Sequence, residues 1–198
     1  MLHVIAGKYR RTLLEIPPGE TTRPITGRVK ETIFNILGSR FAAPGELPEF
    51  DVLDVFAGSG AFGIESLSRG ARRCVFVERN RLAAKTLQSN LKRLKPEPDA
   101  VIRIENAWTM RLPQSEEGFG LIFVDPPYRD VRNTLQNVDL LERLSGRLAA
   151  DGVLMFRHER QIGFDVSQVT GLELEDEREI GHMRLLFLRR RRPAAPPD

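Results

Sequence analysis

Leu53-Asp54-Val55-Phe56-Ala57-Gly58-Ser59-Gly60-Ala61-Phe62-Gly63 reads as an apolar strand that enters a glycine-rich turn and leaves it as a helix. That order brings backbone N–H groups close to a bound nucleotide, and a strand this apolar has to be covered on both faces. Gly58, Gly60 and Gly63 satisfy the spacing of a dinucleotide-binding turn, and Glu78 follows about 20 residues on, as that motif requires. Asp54 turns the reading elsewhere. A carboxylate at this strand end opposes a pyrophosphate but suits S-adenosylmethionine, which carries an ammonium and a sulfonium. The segment is therefore read as a methyl-donor site before a nicotinamide one, with Asp54, Phe56, Ala57, Gly58, Ser59 and Gly60 as its cradle.

On either side of this segment the chain alternates strand-like and helical runs. Strands are predicted over residues 52–56, 73–78, 101–105, 121–125 and 152–157; helices run to Arg69 and Leu94, and a weak one follows residue 105. Apolar runs bounded by turn signals and separated by amphipathic segments predict a doubly wound α/β domain, a Rossmann-like parallel sheet. Residues 166–175 and 183–190 are two further strand-like runs joined by an acidic turn, which predicts an antiparallel end to the sheet. Upstream, residues 3–16 read as a short hairpin ending at Pro17-Pro18-Gly19. Thr26 then caps a helix that buries Val29, Ile33, Phe34 and Leu37 and turns Arg28, Lys30 and Glu31 outward. Residues 1–45 are thus a small hairpin-and-helix extension, 46–192 the catalytic domain and 193–198 a disordered tail.

The ends of the later strands carry the remaining candidates. Glu78, with Arg79 beside it, closes the second strand, where a carboxylate can accept from ribose hydroxyls or simply be an exposed acid. Asn106-Ala107 follows the third strand and can meet an adenine edge or cap the next turn; Trp108 can lie against the adenine or fill the space between helix and sheet. Val124-Asp125-Pro126-Pro127-Tyr128 leaves the fourth strand on the edge that holds the glycine turn. An aromatic amine shares its lone pair with its ring, so a catalyst must hold its N–H bonds while the methyl approaches. Asp125 and the Pro126 carbonyl can do so, Pro126-Pro127 stiffens the turn, and Tyr128 offers a face on which an extruded base stacks. Asp125 to Tyr128 alone specifies amine methylation, of guanine or adenine equally.

With 198 residues, 41% of them hydrophobic, the chain has room for one catalytic domain and an appendage. Its net charge of +3, much of it arginine, and a pI of about 9.3 favour an anionic partner. Cys74 is the sole cysteine, so an internal disulfide is excluded. None of His3, His158 and His182 has a partner at metal-ligand spacing, so no metal is expected. No apolar stretch reaches the roughly 18 to 20 residues of a membrane span, which predicts a cytoplasmic protein that binds no membrane.

Two more blocks, Ile5-Ala6-Gly7-Lys8 with Arg10 and Arg23-Pro24-Ile25-Thr26-Gly27-Arg28-Val29-Lys30-Glu31-Thr32-Ile33-Phe34-Asn35, join the glycine and Asp-Pro-Pro-Tyr motifs. Together they resemble the RsmD family of bacterial 16S rRNA guanine-N2 methyltransferases. Ala6, Ile25 and Gly27 depart from that family's usual residues. The resemblance implies a class I methyltransferase fold, S-adenosylmethionine as cofactor, and a guanine of 16S rRNA in an assembled or partly assembled 30S subunit as target. It further implies that Lys8, Arg10, Arg23, Thr26 and Arg28 border the site and contact rRNA. A monomer is expected, and the Arg189 to Arg192 run can add nonspecific affinity. A DNA adenine-N6 methyltransferase would need a target-recognition domain for which there is little room, and a non-catalytic RNA-binding assembly factor would not need Asp125 or the glycine turn.

Overall fold

Two strands are buried along their whole length, Asp51–Val55 (β3) and Phe119–Val124 (β6). Strands of that kind belong at the centre of a sheet covered on both faces. In the computed structural model, which describes residues 2–17 and 26–191, they lie side by side. Arg23, the Pro18-Gly19 turn and the tail over 193–198 lie outside the described residues, as do the side chains of Tyr128 and Arg129.

The chain opens with a two-strand antiparallel ladder, Leu2–His3 (β1) and Leu13–Leu14 (β2), followed by helix Gly27–Arg40 (α1). After β3 come Ala61–Ser68 (α2), Arg73–Val77 (β4), Arg81–Arg93 (α3) and Ala100–Arg103 (β5). Beyond β6 come Tyr128–Val131 (α4), Thr134–Ser145 (α5), Leu148–Glu159 (β7), Leu172–Ile180 (β8) and Met183–Arg190 (β9). The seven-stranded sheet has the order β5-β4-β3-β6-β7-β9-β8, parallel through β7, with β9 antiparallel to both neighbours. This is the doubly wound α/β sheet with an antiparallel end that the alternation predicts. Its direction of winding reverses between β3 and β6, where ligands bind in folds of this kind. Among the described residues, no helix is long and apolar enough to cross a membrane.

The two faces of the sheet bury separate clusters. On one, α1 to α3 pack Phe34, Phe62, Leu87 and their neighbours onto Phe76, Phe123 and Phe187. The Phe62 and Phe123 rings stack at 4.7 Å, a contact worth about 0.5–1.5 kcal/mol beyond the area it buries. The N-terminal ladder joins this same cluster through Leu2, Val4, Tyr9 and Leu14. On the other face, Leu140, Leu141 and Leu144 of α5, together with Trp108, cover Leu53, Val75 and Ile122.

Three local expectations change. Lys30, read as facing solvent, is fully buried: its Nζ stands 2.8 Å from Glu65 Oε2 and donates to the His3 carbonyl at 2.8 Å. Helical periodicity puts position 30 on the stripe of Ile33, Phe34 and Leu37, and the buried Glu65 carboxylate makes a charge tolerable there. Glu65 also accepts from the Ile5 and Ala6 N–H groups and from Arg69 Nε. Second, β5 stops at Arg103 and no helix follows. The turn at Asn106 does not propagate, because Arg143 of α5 donates to the Trp108 and Met110 carbonyls at 2.8 and 2.6 Å, bonds that a helix would have taken. Third, the strand expected from residue 166 begins at Leu172, since Asp165 folds back onto Ser167 in a 3₁₀ turn. The acidic stretch after it is strand, with Glu173 and Glu177 paired to Arg189 and Arg184 of β9.

Replacing Glu65 by Gln leaves the Lys30 ammonium buried without its counter-charge. Chemical denaturation of Glu65→Gln is expected to show a loss of about 3–5 kcal/mol; a loss under about 1 kcal/mol would show that the pair is dispensable. Gly63 of α2 sits so close to β4 that a Cβ would stand 2.2 Å from the Phe76 ring and 2.6 Å from Cys74 Sγ. Gly63→Ala is therefore expected to cost about 1–3 kcal/mol by the same measurement, and an unchanged midpoint would contradict the tight helix-on-strand contact.

Candidate active site

Register brings the candidates to one edge. Val55 pairs with Val77 on one side and Val124 on the other, and Val124 pairs with Phe156. The next residues, Phe56, Glu78 and Asp125, therefore leave three adjacent parallel strands side by side, level with Arg157 of β7, which itself continues to Glu159.

The glycine turn is built from left-handed backbone at Phe56, Gly58 and Gly60, with φ of 65°, 54° and 84°. For Phe56, a side chain this bulky in that region costs about 1–3 kcal/mol. The cost is offset by its ring, which packs at 4.9 Å from Trp108, and by the bond from Ala57 N–H to the Val77 carbonyl, 3.0 Å. Gly60 is required twice over, since a Cβ there would meet Leu87 Cδ1 at 2.4 Å. Ser59 turns its carbonyl inward to Asn90 Nδ2 of α3, 3.0 Å away.

Two carboxylates brace this turn from below and from the side. Asp54, 1% exposed, accepts from Gly63 N–H at 2.9 Å. Burial pushes its carboxyl well above the usual range; the Gly63 bond opposes that shift, while Asp125 and Glu78 add to it. Glu78 accepts from Gly58 N–H through Oε2 at 2.9 Å and from Asn80 N–H through Oε1 at 2.7 Å. Asn106 is exposed and its Oδ1 accepts from Trp108 N–H at 3.2 Å; Ala107 beside it is buried.

Asp125 is met by a residue that sequence reasoning missed. Arg157, two residues before the end of β7, donates from Nε to Oδ1 and from Nη2 to Oδ2, both at 2.7 Å. The signal was present as a charge closing the apolar run 153–156, but the pairing becomes visible only with the strand order. Asn90 was missed for the same reason. Pro126 is buried, and the Pro127 carbonyl accepts from Asp130 N–H at 2.8 Å, starting α4. Arg79 reaches across the end of β3 to Asp130, 3.2 Å away.

The structure thus brings together the glycine turn, Asp54, Glu78 and Asp125, with Arg79 at the rim and Asn106-Ala107 beyond β4. Lys8 and Arg10 are exposed on the loop of the N-terminal ladder, and Thr26 and Arg28 are exposed at the start of α1, where Thr26 Oγ1 accepts from Val29 N–H at 3.4 Å. Among the described residues, no cluster of His, Cys, Asp and Glu is arranged to hold a metal ion.

The family profile described as "Conserved hypothetical protein 95" matches residues 2–189. The chain is 37% identical over 168 residues to YlbH of Bacillus subtilis, described as a candidate rRNA methyltransferase, covering 81% of this chain and 84% of that one. It is 36% identical over 163 residues to the ribosomal RNA small subunit methyltransferase D of Escherichia coli K12, covering 82% and 77%. The solved structure of Escherichia coli yhhF, described as a candidate methyltransferase, matches with a TM-score of 0.78 at 30% identity, covering 96% of this chain and 98% of that one. With the profile spanning nearly the whole chain and the relatives aligned across most of it, this chain belongs to the RsmD family, whose members carry a Rossmann-like class I methyltransferase fold.

Proposed function

We propose that this protein transfers a methyl group from S-adenosylmethionine to the exocyclic N2 amine of a guanine in 16S rRNA, within an assembled or partly assembled 30S subunit. The observation that carries the reading is the convergence of the glycine turn, Glu78 and Asp125 at flush strand ends. The residues fit the cofactor: the carboxyls of Asp54, Glu78 and Asp125 converge where an ammonium and a sulfonium would lie, an environment hostile to a pyrophosphate. In this reading, residues 56 to 60 cradle the cofactor above Asp54, Glu78 accepts from its ribose, Asn106 and Ala107 meet its adenine, and Arg79 closes the rim. When bound, S-adenosylmethionine supplies an electrophilic methyl, so no metal is required to activate the acceptor.

Asp125 accepts one N–H of the target amine, and the Pro126 carbonyl is assigned the other, since that of Pro127 is committed to α4. Holding both N–H bonds aims the nitrogen lone pair at the methyl before reaction, which is where such sites gain rate. Tyr128 is assigned the stacking face for the base. Lys8, Arg10, Arg23, Thr26 and Arg28 are assigned to the rRNA backbone, and the protein is taken to act in the cytoplasm as a monomer.

Asp125→Ala is expected to lower methylation of undermodified small subunits at least about 100-fold while leaving S-adenosylmethionine affinity within a few-fold, because the carboxylate acts on the acceptor. Tritiated methyl incorporation, compared across 30S subunits, naked rRNA and DNA, checks this. Wild-type turnover in the variant would overturn the assignment of Asp125, and label entering DNA in place of rRNA would overturn the substrate.

A further inference from the structure

Asp125 is fixed at two points. Its carboxylate and the Arg157 guanidinium form a fork with both bonds at 2.7 Å, and their side chains are 17% and 9% exposed. Such a pair is stronger and more directional than a single charged contact. Asp54 of β3 is close enough for Asp125 and Glu78 both to oppose its ionisation, and the Arg79–Asp130 pair sits farther out at the rim. Repelled by these acids, an unanchored Asp125 carboxylate would turn away from them and lose a fixed acceptor direction.

The fork prevents that rotation. A carboxylate has about four acceptor sites, the guanidinium takes one on each oxygen, and one on each oxygen remains. We propose that Arg157 is a positioning residue, which holds the Asp125 carboxylate in a fixed orientation and so presents an outward acceptor site to one N–H bond of the target amine. The proposal rests on the reading of Asp125 as the group that holds the amine. Arg157 itself is too fully engaged with Asp125 to be assigned the substrate.

Two variants test the fork. Arg157→Gln removes it, and its kcat on undermodified 30S subunits is expected to fall about 100-fold, with KM for S-adenosylmethionine within a few-fold. Arg157→Lys keeps a charge but not the planar fork, and its kcat is expected to fall about tenfold, again with that KM within a few-fold. A purely structural role would raise KM for S-adenosylmethionine and lower the melting temperature in step with kcat, and that result would overturn the proposal, as would wild-type kcat in either variant. If Arg157→Gln does not fold, Arg157→Lys decides: wild-type kcat, or a KM that rises as kcat falls, overturns the proposal, and reduced kcat at unchanged KM and melting temperature supports it. Asp125→Asn, assayed in parallel, separates the two levels. Full activity in Asp125→Asn removes the assigned role of Asp125 and this inference with it. An inactive Asp125→Asn beside an Arg157→Gln of wild-type kcat removes only the inference.

Discussion

The site depends on one geometric constraint: parallel strands that end at the same level. Val55 stands opposite both Val77 and Val124, so the residue after each strand end emerges into the same layer. A slip of one residue in any strand would turn its terminal acid to the opposite face of the sheet. The register is held by wholly buried strands whose side chains serve two close-packed cores. The charge cluster is therefore a product of apolar packing. Asp54, Glu78 and Asp125 approach one another because valines and phenylalanines leave them no alternative, and the resulting repulsion adds to the burial that pushes the Asp54 carboxyl well above its usual range.

A second constraint joins the N-terminal segment to this frame. The Glu65 carboxylate gathers Lys30 from α1, two backbone N–H groups from the segment after β1, and Arg69 from its own helix, all away from solvent. Two buried cations around one carboxylate are stable only because further bonds satisfy every partner. The segment that carries Lys8 and Arg10 is thus tied to the helix that follows the glycine turn.

Much of this was legible in the chain. The glycine turn, the alternation of strands and helices and the Asp-Pro-Pro-Tyr motif each have a local signature, because turn chemistry and periodicity are properties of neighbouring residues. Lys30 was misread because charge outweighed periodicity, although its spacing from Ile33, Phe34 and Leu37 already placed it on the buried stripe. Arg157, Asn90 and Arg143 were invisible for a different reason. Each acts on a segment 31 to 35 residues away in the chain, and only the strand order and helix packing bring the partners together. The missing helix after β5 belongs with them, since Arg143 supplies from α5 what the local sequence would otherwise have sought in its own backbone.

Phe56 carries a last consequence. Its left-handed backbone is held by the Trp108 ring and the Val77 carbonyl, partners that belong to the protein. The loop is therefore shaped during folding, and its conformational freedom is surrendered once, when the chain collapses, and not again at each encounter with a ligand. Association with such a loop resembles the filling of a mould: the backbone contributes little entropic penalty, and affinity is governed by desolvation and charge. Global stability is correspondingly lower than a relaxed turn would give, a permanent mechanical tension carried by a single residue at the mouth of the sheet.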